Sequence, residues 1–163
     1  MDPLIPVSYT INGKSVQQQV SVRTTLSDML RHQMGLTATH AGCEQGSCGA
    51  CTVVVDGLMA RSCLIFAIQL DGARIETSEG FADDQLMNEL RRNFADRNAL
   101  QCGFCTGGML VAAHDLLSRT PHPERAEIRE KISGNFCRCT GYEAIVDAIS
   151  KTAQALPLED SGK

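Results

Sequence analysis

Hydrophobic and polar residues alternate through the first half of the chain, with the period of two that is typical of β-strands. A first strand is predicted by four hydrophobic residues at every second position: Ile5, Val7, Tyr9 and Ile11. Asn12-Gly13 follows, which is the strongest short signal for a hairpin turn. The return strand carries Val16, Val20 and Val22 on one face. The chain is therefore predicted to open with a β-hairpin.

The pattern then predicts one helix and further strands. Leu26, Met29 and Leu30 recur at helical spacing, so we expect a helix over residues 25–34 that stops at Gly35. A strand over residues 52–55 turns at Asp56-Gly57, and residues 74–77 are suited to a last strand. A mixed sheet crossed by one helix is the β-grasp pattern of plant-type ferredoxins.

In the second half the hydrophobic period changes to that of helices. Four groups mark four helices: Leu86, Leu90 and Phe94; Met109, Leu110, Ala113, Leu116 and Leu117; Ile128 and Ile132; and Tyr142, Ile145, Val146 and Ile149. The predicted fold class is α+β, a β-grasp domain followed by a four-helix bundle. Gly80 and polar neighbours separate the two periods, so the domains are predicted at residues 1–79 and 80–163, the second ending in a polar tail from residue 156.

All eight cysteines fall into two sets of four. The first ligand set is Cys43-x4-Cys48-x2-Cys51-x11-Cys63, and the second ligand set is Cys102-x2-Cys105-x31-Cys137-x-Cys139. The first spacing is that of plant-type ferredoxins, in which four thiolates hold a [2Fe-2S] cluster. In the second set, one pair precedes one predicted helix and the other pair precedes another, so the sulfurs are placed to converge at one end of the bundle. We expect one cluster at each set.

Three other uses of the cysteines fit less well. A disulfide framework suits a short secreted chain, but the N-terminus has no basic region followed by a long apolar run. A structural zinc site uses paired cysteines; Cys102 and Cys105 alone fit one, but three cysteines between Cys43 and Cys51 do not. A thioredoxin-like Cys102–Cys105 pair would leave Cys137 and Cys139 unexplained.

Composition narrows the function further. The net charge is −4 without a basic run, which argues against nucleic acid and anionic membranes as partners. Aromatic residues make up 4% of the chain and Trp is absent, so a substrate pocket built by this chain alone is not expected. No export signal or transmembrane-length segment is evident, which predicts a cytoplasmic protein. These features favour an electron relay, with no substrate catalysis on this chain.

Six glycines and Arg138 lie close to the cysteines in the sequence, and the chain has four histidines. Glycine allows backbone N–H groups to approach a cluster or is simply a turn residue, and the positions concerned are Gly42, Gly46, Gly49, Gly103, Gly107 and Gly108. Arg138 either offsets cluster charge or is solvated. The histidines have no ligand-like spacing and are assigned no role; they are His32, His40, His114 and His122.

Three segments together resemble a known family. They are His40-Ala41-Gly42-Cys43-Glu44-Gln45-Gly46-Ser47-Cys48-Gly49-Ala50-Cys51-Thr52-Val53, Gln101-Cys102-Gly103-Phe104-Cys105-Thr106-Gly107-Gly108-Met109 and Gly134-Asn135-Phe136-Cys137-Arg138-Cys139-Thr140-Gly141-Tyr142. In this order, and using every cysteine, they resemble the iron-sulfur subunit of the molybdenum hydroxylase, or xanthine oxidase, family over roughly residues 5–155.

The resemblance implies an oxidoreductase complex with a large molybdopterin-binding subunit and a medium FAD-binding subunit, arranged as a dimer of heterotrimers. Electrons would pass from molybdenum to the second ligand set, then to the first, and then to FAD. By the same resemblance, Gln101 and Cys139 would lie beside the pterin. This chain would be a separate subunit of the complex, and the substrate would bind on another chain.

One position departs from the family pattern, because Gly107 stands where the family usually has Pro. A glycine there is expected to loosen the turn before the helix. Two other functions are kept as alternatives: a free-standing two-cluster ferredoxin that serves unrelated enzymes, and a zinc-stapled interaction domain.

Overall fold

The first half folds around a five-stranded mixed sheet in a computed structural model that describes residues 2–157. The strands are β1 (Leu4–Ile11), β2 (Lys14–Ser21), β3 (Thr52–Val55), β4 (Leu58–Arg61) and β5 (Arg74–Glu76). Their order in the sheet is β2-β1-β5-β3-β4, with β1 and β5 parallel and the other pairs antiparallel. The predicted β-grasp fold is confirmed.

The hairpin forms where the sequence predicts it. Ile11 pairs with Lys14 across a two-residue turn, in which Asn12 and Gly13 have φ values of 50° and 77°. Two consecutive residues with positive φ give the tight turn that matches the twist of the strands. Val22 differs from the prediction, because it lies just beyond the end of β2.

One short helix crosses the sheet. Thr25 caps α1 (Leu26–Asp28) by accepting a hydrogen bond from the N–H of Asp28, and a wider π-helical turn continues over Met29–Gln33. The helix therefore ends two residues before Gly35. Its apolar face packs on the sheet in a buried core whose members are Val7, Tyr9, Ile11, Val20, Leu26, Met29, Leu30, Val53, Ala67 and Ile75.

The second half is the predicted bundle of four helices. They are α2 (Gln85–Asp96), α3 (Thr106–Arg119), α4 (Arg125–Ile132) and α5 (Glu143–Ala155). Asp84 caps α2 by accepting a hydrogen bond from the N–H of Met87. Apolar residues from all four helices share a second core, so the two halves bury separate hydrophobic surfaces.

The predicted polar tail falls mostly on residues 158–163, which lie outside the described part of the chain. Among the described residues, no helix has the length and apolar character needed to cross a membrane.

A buried polar network joins the two halves. The side-chain amide of Asn135 donates to the carbonyl oxygen of Gly49 at 3.0 Å and to the Thr52 hydroxyl at 3.2 Å. The guanidinium group of Arg61 donates to Thr52 and, at 2.7 Å, to the carbonyl oxygen of Gly134. Because Asn135 is 3% exposed, these hydrogen bonds form away from solvent, where a lost partner is costly.

We predict that Asn135→Ala destabilises the protein by about 1–3 kcal/mol, since it removes two buried hydrogen bonds. Thermal unfolding followed by circular dichroism would measure this as a lower melting temperature. Gln154→Ala is the control, because Gln154 is exposed on α5 and such changes stay within about 0.5 kcal/mol. Equal melting temperatures for the two variants would show that the network does not hold the halves together.

Candidate iron-sulfur centres

The first ligand set lies on the loop between α1 and β3 and on the turn after β4. Cys51 and Cys63 are buried, whereas Cys43 and Cys48 are partly exposed. At Gly49, which has a φ of 73°, the loop lies close to Gly134 and Asn135 of the second half. A Cβ atom there would lie 2.5 Å from the carbonyl oxygen of Gly134, so this position requires glycine.

The second ligand set lies where two helices begin. Cys105 immediately precedes α3, and Cys137 and Cys139 lie on the loop that leads into α5. Cys102 and Cys139 are exposed, whereas Cys105 and Cys137 are partly buried. The fold thus brings together two cysteine pairs that are more than 30 residues apart in the sequence.

Direct contacts join cysteines within each set. In the first set, the N–H of Cys48 donates to the sulfur of Cys43 at 3.4 Å. In the second set, the thiols of Cys102 and Cys139 contact each other. The sulfur atoms of Cys102 and Cys139 are 3.6 Å apart. Two thiolates on one tetrahedral metal ion, with bonds of about 2.3 Å, are separated by roughly 3.8 Å. The spacing therefore suits two sulfurs that share one metal ion.

The two kinds of metal site considered for these cysteines differ in their ligands. Among residues 2–157, no three Cys, His, Asp or Glu side chains converge on a position for a single metal ion. A structural zinc ion requires four such ligands, whereas each iron of a [2Fe-2S] cluster takes two thiolates and two bridging sulfides. All eight cysteines carry free thiols, so every one of them is available as a ligand.

The thiols differ in how readily they ionise. The Ser47 hydroxyl, together with the N–H groups of Gln45 and Cys48, lowers the pKa of Cys43 to about 6. Burial, and then contact with Cys51, raises the pKa of Cys63 to about 11. Thiolates are the form that binds metal, so donors close to sulfur favour binding.

The second set shows the same contrast. Burial, and then contact with Cys137, raises the pKa of Cys105 to about 12. Burial also acts to raise the pKa of Cys137, but hydrogen bonds from the Thr140 hydroxyl and N–H outweigh it and lower that pKa. Contact with Cys102 raises the pKa of Cys139. Two positively charged irons would stabilise the thiolate forms of Cys63 and Cys105 despite their burial.

The two ligand loops contact each other directly. The N–H of Phe136 donates to the carbonyl oxygen of Cys48 at 2.8 Å, so one hydrogen bond connects the backbone of the first set to the residue before Cys137. The rings of His40 and Phe104 stack with their centroids 4.5 Å apart. His40 has no predicted role because the histidines lack ligand-like spacing, and this aromatic contact joins it to a residue far away in the chain.

Other predicted residues have clear positions. Gln101 is exposed and its side chain donates to the carbonyl oxygen of Cys139 at 3.0 Å, which places it beside the exposed thiol pair. Arg138 is exposed. Gly107 lies in the first turn of α3, where a Cβ atom would collide with the carbonyl oxygen of Ala38. The missing side chain therefore lets α3 pack closely on the loop before the first set.

Comparison with known proteins identifies the family of the chain. A model described as "2Fe-2S iron-sulfur cluster binding domain" matches residues 9–93, and one described as "[2Fe-2S] binding domain" matches residues 77–150. The caffeine dehydrogenase subunit gamma of Pseudomonas sp. (strain CBB1) is 44% identical over 158 residues, covering 95% of both chains. The nicotine 6-hydroxylase small subunit of Paenarthrobacter nicotinovorans is 46% identical, covering 89% of this chain and 87% of that subunit.

Solved structures agree with the sequence matches. Quinoline 2-oxidoreductase from Pseudomonas putida 86 superposes with a TM-score of 0.89 and 50% identity, covering 94% of this chain and 96% of that one. Aldehyde oxidoreductase from Desulfovibrio gigas superposes with a TM-score of 0.82 and 40% identity, covering 91% of this chain but 17% of that one. The chain belongs to the iron-sulfur small subunits, with two [2Fe-2S] clusters, of the molybdenum hydroxylase or xanthine oxidase family.

Proposed function

We propose that this chain relays single electrons from the molybdopterin centre of a large subunit, through its two [2Fe-2S] clusters, to FAD on a medium subunit. A [2Fe-2S] cluster takes up and gives away one electron at a time. The observation that carries the proposal is the packing of the two ligand loops, which join through the hydrogen bond between Phe136 and Cys48. Two metal sites with purely structural roles would not need to lie in contact, whereas two centres that exchange electrons do.

The ligands are assigned from the cysteine spacing. Cys43, Cys48, Cys51 and Cys63 hold the first cluster; Cys102, Cys105, Cys137 and Cys139 hold the second. The 3.6 Å separation of the Cys102 and Cys139 sulfurs supports ligation of one iron by these two residues. The glycines of both loops allow backbone N–H groups to approach the sulfurs, which stabilises the negative charge that a four-thiolate cluster carries.

The direction of transfer is taken from the family resemblance, and exposure of the thiols is compatible with it. Cys102 and Cys139 lie at the surface, and Gln101 holds the backbone of Cys139 by a hydrogen bond. In the proposed complex this end of the molecule meets the molybdopterin, and Gln101 and Cys139 lie beside it. The partly exposed Cys43 and Cys48 belong to the set that passes electrons on to FAD.

The partners follow from the relatives. The aldehyde oxidoreductase of Desulfovibrio gigas contains this fold as 17% of a longer chain, whereas the caffeine and nicotine enzymes have it as a subunit. We place this chain in a heterotrimer with a large and a medium subunit, two copies of which pair. Within the chain, residues 1–79 hold the first cluster and residues 80–163 hold the second. A cytoplasmic location stays a prediction of the sequence.

Removing one ligand from each set tests the assignment of sites. In the cluster-loaded chain we expect Cys43→Ser and Cys102→Ser each to lose one of two EPR signals of the reduced protein, and roughly half of the iron. Both thiols are at least partly exposed, so neither change disrupts a core. Each variant is the control for the other. A variant that keeps both signals, or both variants losing the same one, would contradict the two-site assignment.

The order of transfer is tested in the assembled complex. When substrate is mixed with the Cys102→Ser complex, neither the first cluster nor FAD should be reduced. With Cys43→Ser, the second cluster should be reduced while FAD stays oxidised. Rapid-freeze EPR and flavin absorbance measure these species. Normal flavin reduction in both variants would show that electrons bypass the chain.

Purification from the native host separates the subunit from the alternative, a free-standing ferredoxin. We expect an affinity-tagged chain to carry along molybdenum and FAD in stoichiometric amounts, measured by mass spectrometry of metals and by flavin fluorescence. A chain that elutes alone, fully loaded with iron and without either cofactor, would favour the independent carrier.

A further inference from the structure

The loop between Cys137 and Tyr142 directs two hydrogen bonds at one sulfur atom. The backbone N–H of Thr140 points to the sulfur of Cys137 at 3.4 Å, and the Thr140 hydroxyl lies 3.1 Å from the same sulfur. Backbone donors near a cluster are available to any residue type, but the hydroxyl contact depends on the residue at position 140. The hydroxyl contact is therefore specific to the side chain at position 140.

The hydroxyl is oriented by its other neighbour. The N–H of Tyr142 donates to the Thr140 oxygen at 3.2 Å, which occupies one lone pair and leaves the hydroxyl hydrogen free to point at sulfur. Tyr142 in turn accepts a hydrogen bond at its phenol oxygen from the N–H of Cys137, at 2.9 Å. The three residues form a closed ring of hydrogen bonds.

The backbone of this ring is held in an uncommon conformation. Tyr142 has a φ of 69° and follows Gly141, whose φ is 67°. Left-handed conformation is rare for an aromatic residue and persists where the surrounding contacts fix it. The Thr140 hydroxyl is thus held in place before any electron arrives, so it does not have to reorient when the charge on sulfur changes.

A fixed donor next to a cluster sulfur changes the energy of reduction. Reduction adds one negative charge, part of which resides on the thiolate sulfurs. A hydrogen bond is stronger to a more negative acceptor, so it stabilises the reduced form more than the oxidised form.

We propose that the Thr140 hydroxyl raises the reduction potential of the second cluster through its hydrogen bond to the sulfur of Cys137. The proposal rests on the proposed function, because it requires Cys137 to be a ligand of that cluster. It makes Thr140 a positioning residue that favours transfer of the electron from the molybdenum centre onto the second cluster, without contact with substrate.

The test is an EPR-monitored redox titration of the complex with dithionite. Thr140→Val keeps the shape of the side chain and removes the hydroxyl. At a fixed potential, it should reduce the ratio of reduced to oxidised second cluster by about three- to tenfold, a tenfold change being a shift of about 59 mV to more negative values for one electron. The signal of the first cluster, in the same molecules, should keep its potential.

Two further variants separate hydrogen bonding from packing. Thr140→Ser keeps the hydroxyl and should restore the original potential. Thr120→Val makes the same change in side chain at the far end of α3 and should leave both potentials unchanged.

The outcomes distinguish the inference from the proposed function. Two clusters with an unshifted potential in Thr140→Val, or a Thr140→Ser variant that shifts as far, would overturn the role of the hydroxyl while leaving the relay intact. Loss of the second signal in Cys102→Ser, together with a shift in Thr140→Val alone, supports both. Absence of a second cluster in the unmodified chain would overturn both.

Discussion

The two ligand loops of this protein meet backbone to backbone, and this close approach determines how the rest of the molecule is arranged. Gly108 on α3 and Gly49 on the first ligand loop lie so near each other that a Cβ atom on Gly108 would collide with the Gly49 carbonyl oxygen. The same oxygen accepts a hydrogen bond from the buried Asn135 side chain. A sheet domain and a helix bundle, each with its own core, are thereby fixed in one relative position at the point where their cysteines lie.

Packing the two halves in this position buries backbone carbonyl groups, and polar residues in the interface donate hydrogen bonds to them. Thr52 and Asn135 donate to the carbonyl oxygen of Gly49, and Arg61 donates to that of Gly134, so these acceptors are hydrogen-bonded within the interface. The cysteines fall into two groups. Burial raises the pKa of Cys63 and Cys105, whereas hydrogen-bond donors lower the pKa of Cys43 and Cys137. Metal binding is the condition under which all of these thiolates become favourable together.

Local patterns in the sequence predicted what depends on local physics. Asn12-Gly13 specifies the hairpin because both residues accept positive φ. The cysteine spacing predicted the first cluster because three of its ligands, Cys43, Cys48 and Cys51, lie within one short segment. The Asn135 and Arg61 contacts escaped prediction because they join residues more than 70 positions apart. The Thr140 hydroxyl also escaped, since its direction depends on Tyr142 being left-handed, which its residue type does not favour.

The central claim is that eight thiols hold two binuclear clusters. The most direct measurement is the content of iron, acid-labile sulfide and zinc in the purified chain. Two [2Fe-2S] clusters predict about four iron and four sulfide per chain, with no zinc. Zinc without sulfide, or about two iron and two sulfide in a fully loaded preparation, would contradict the account.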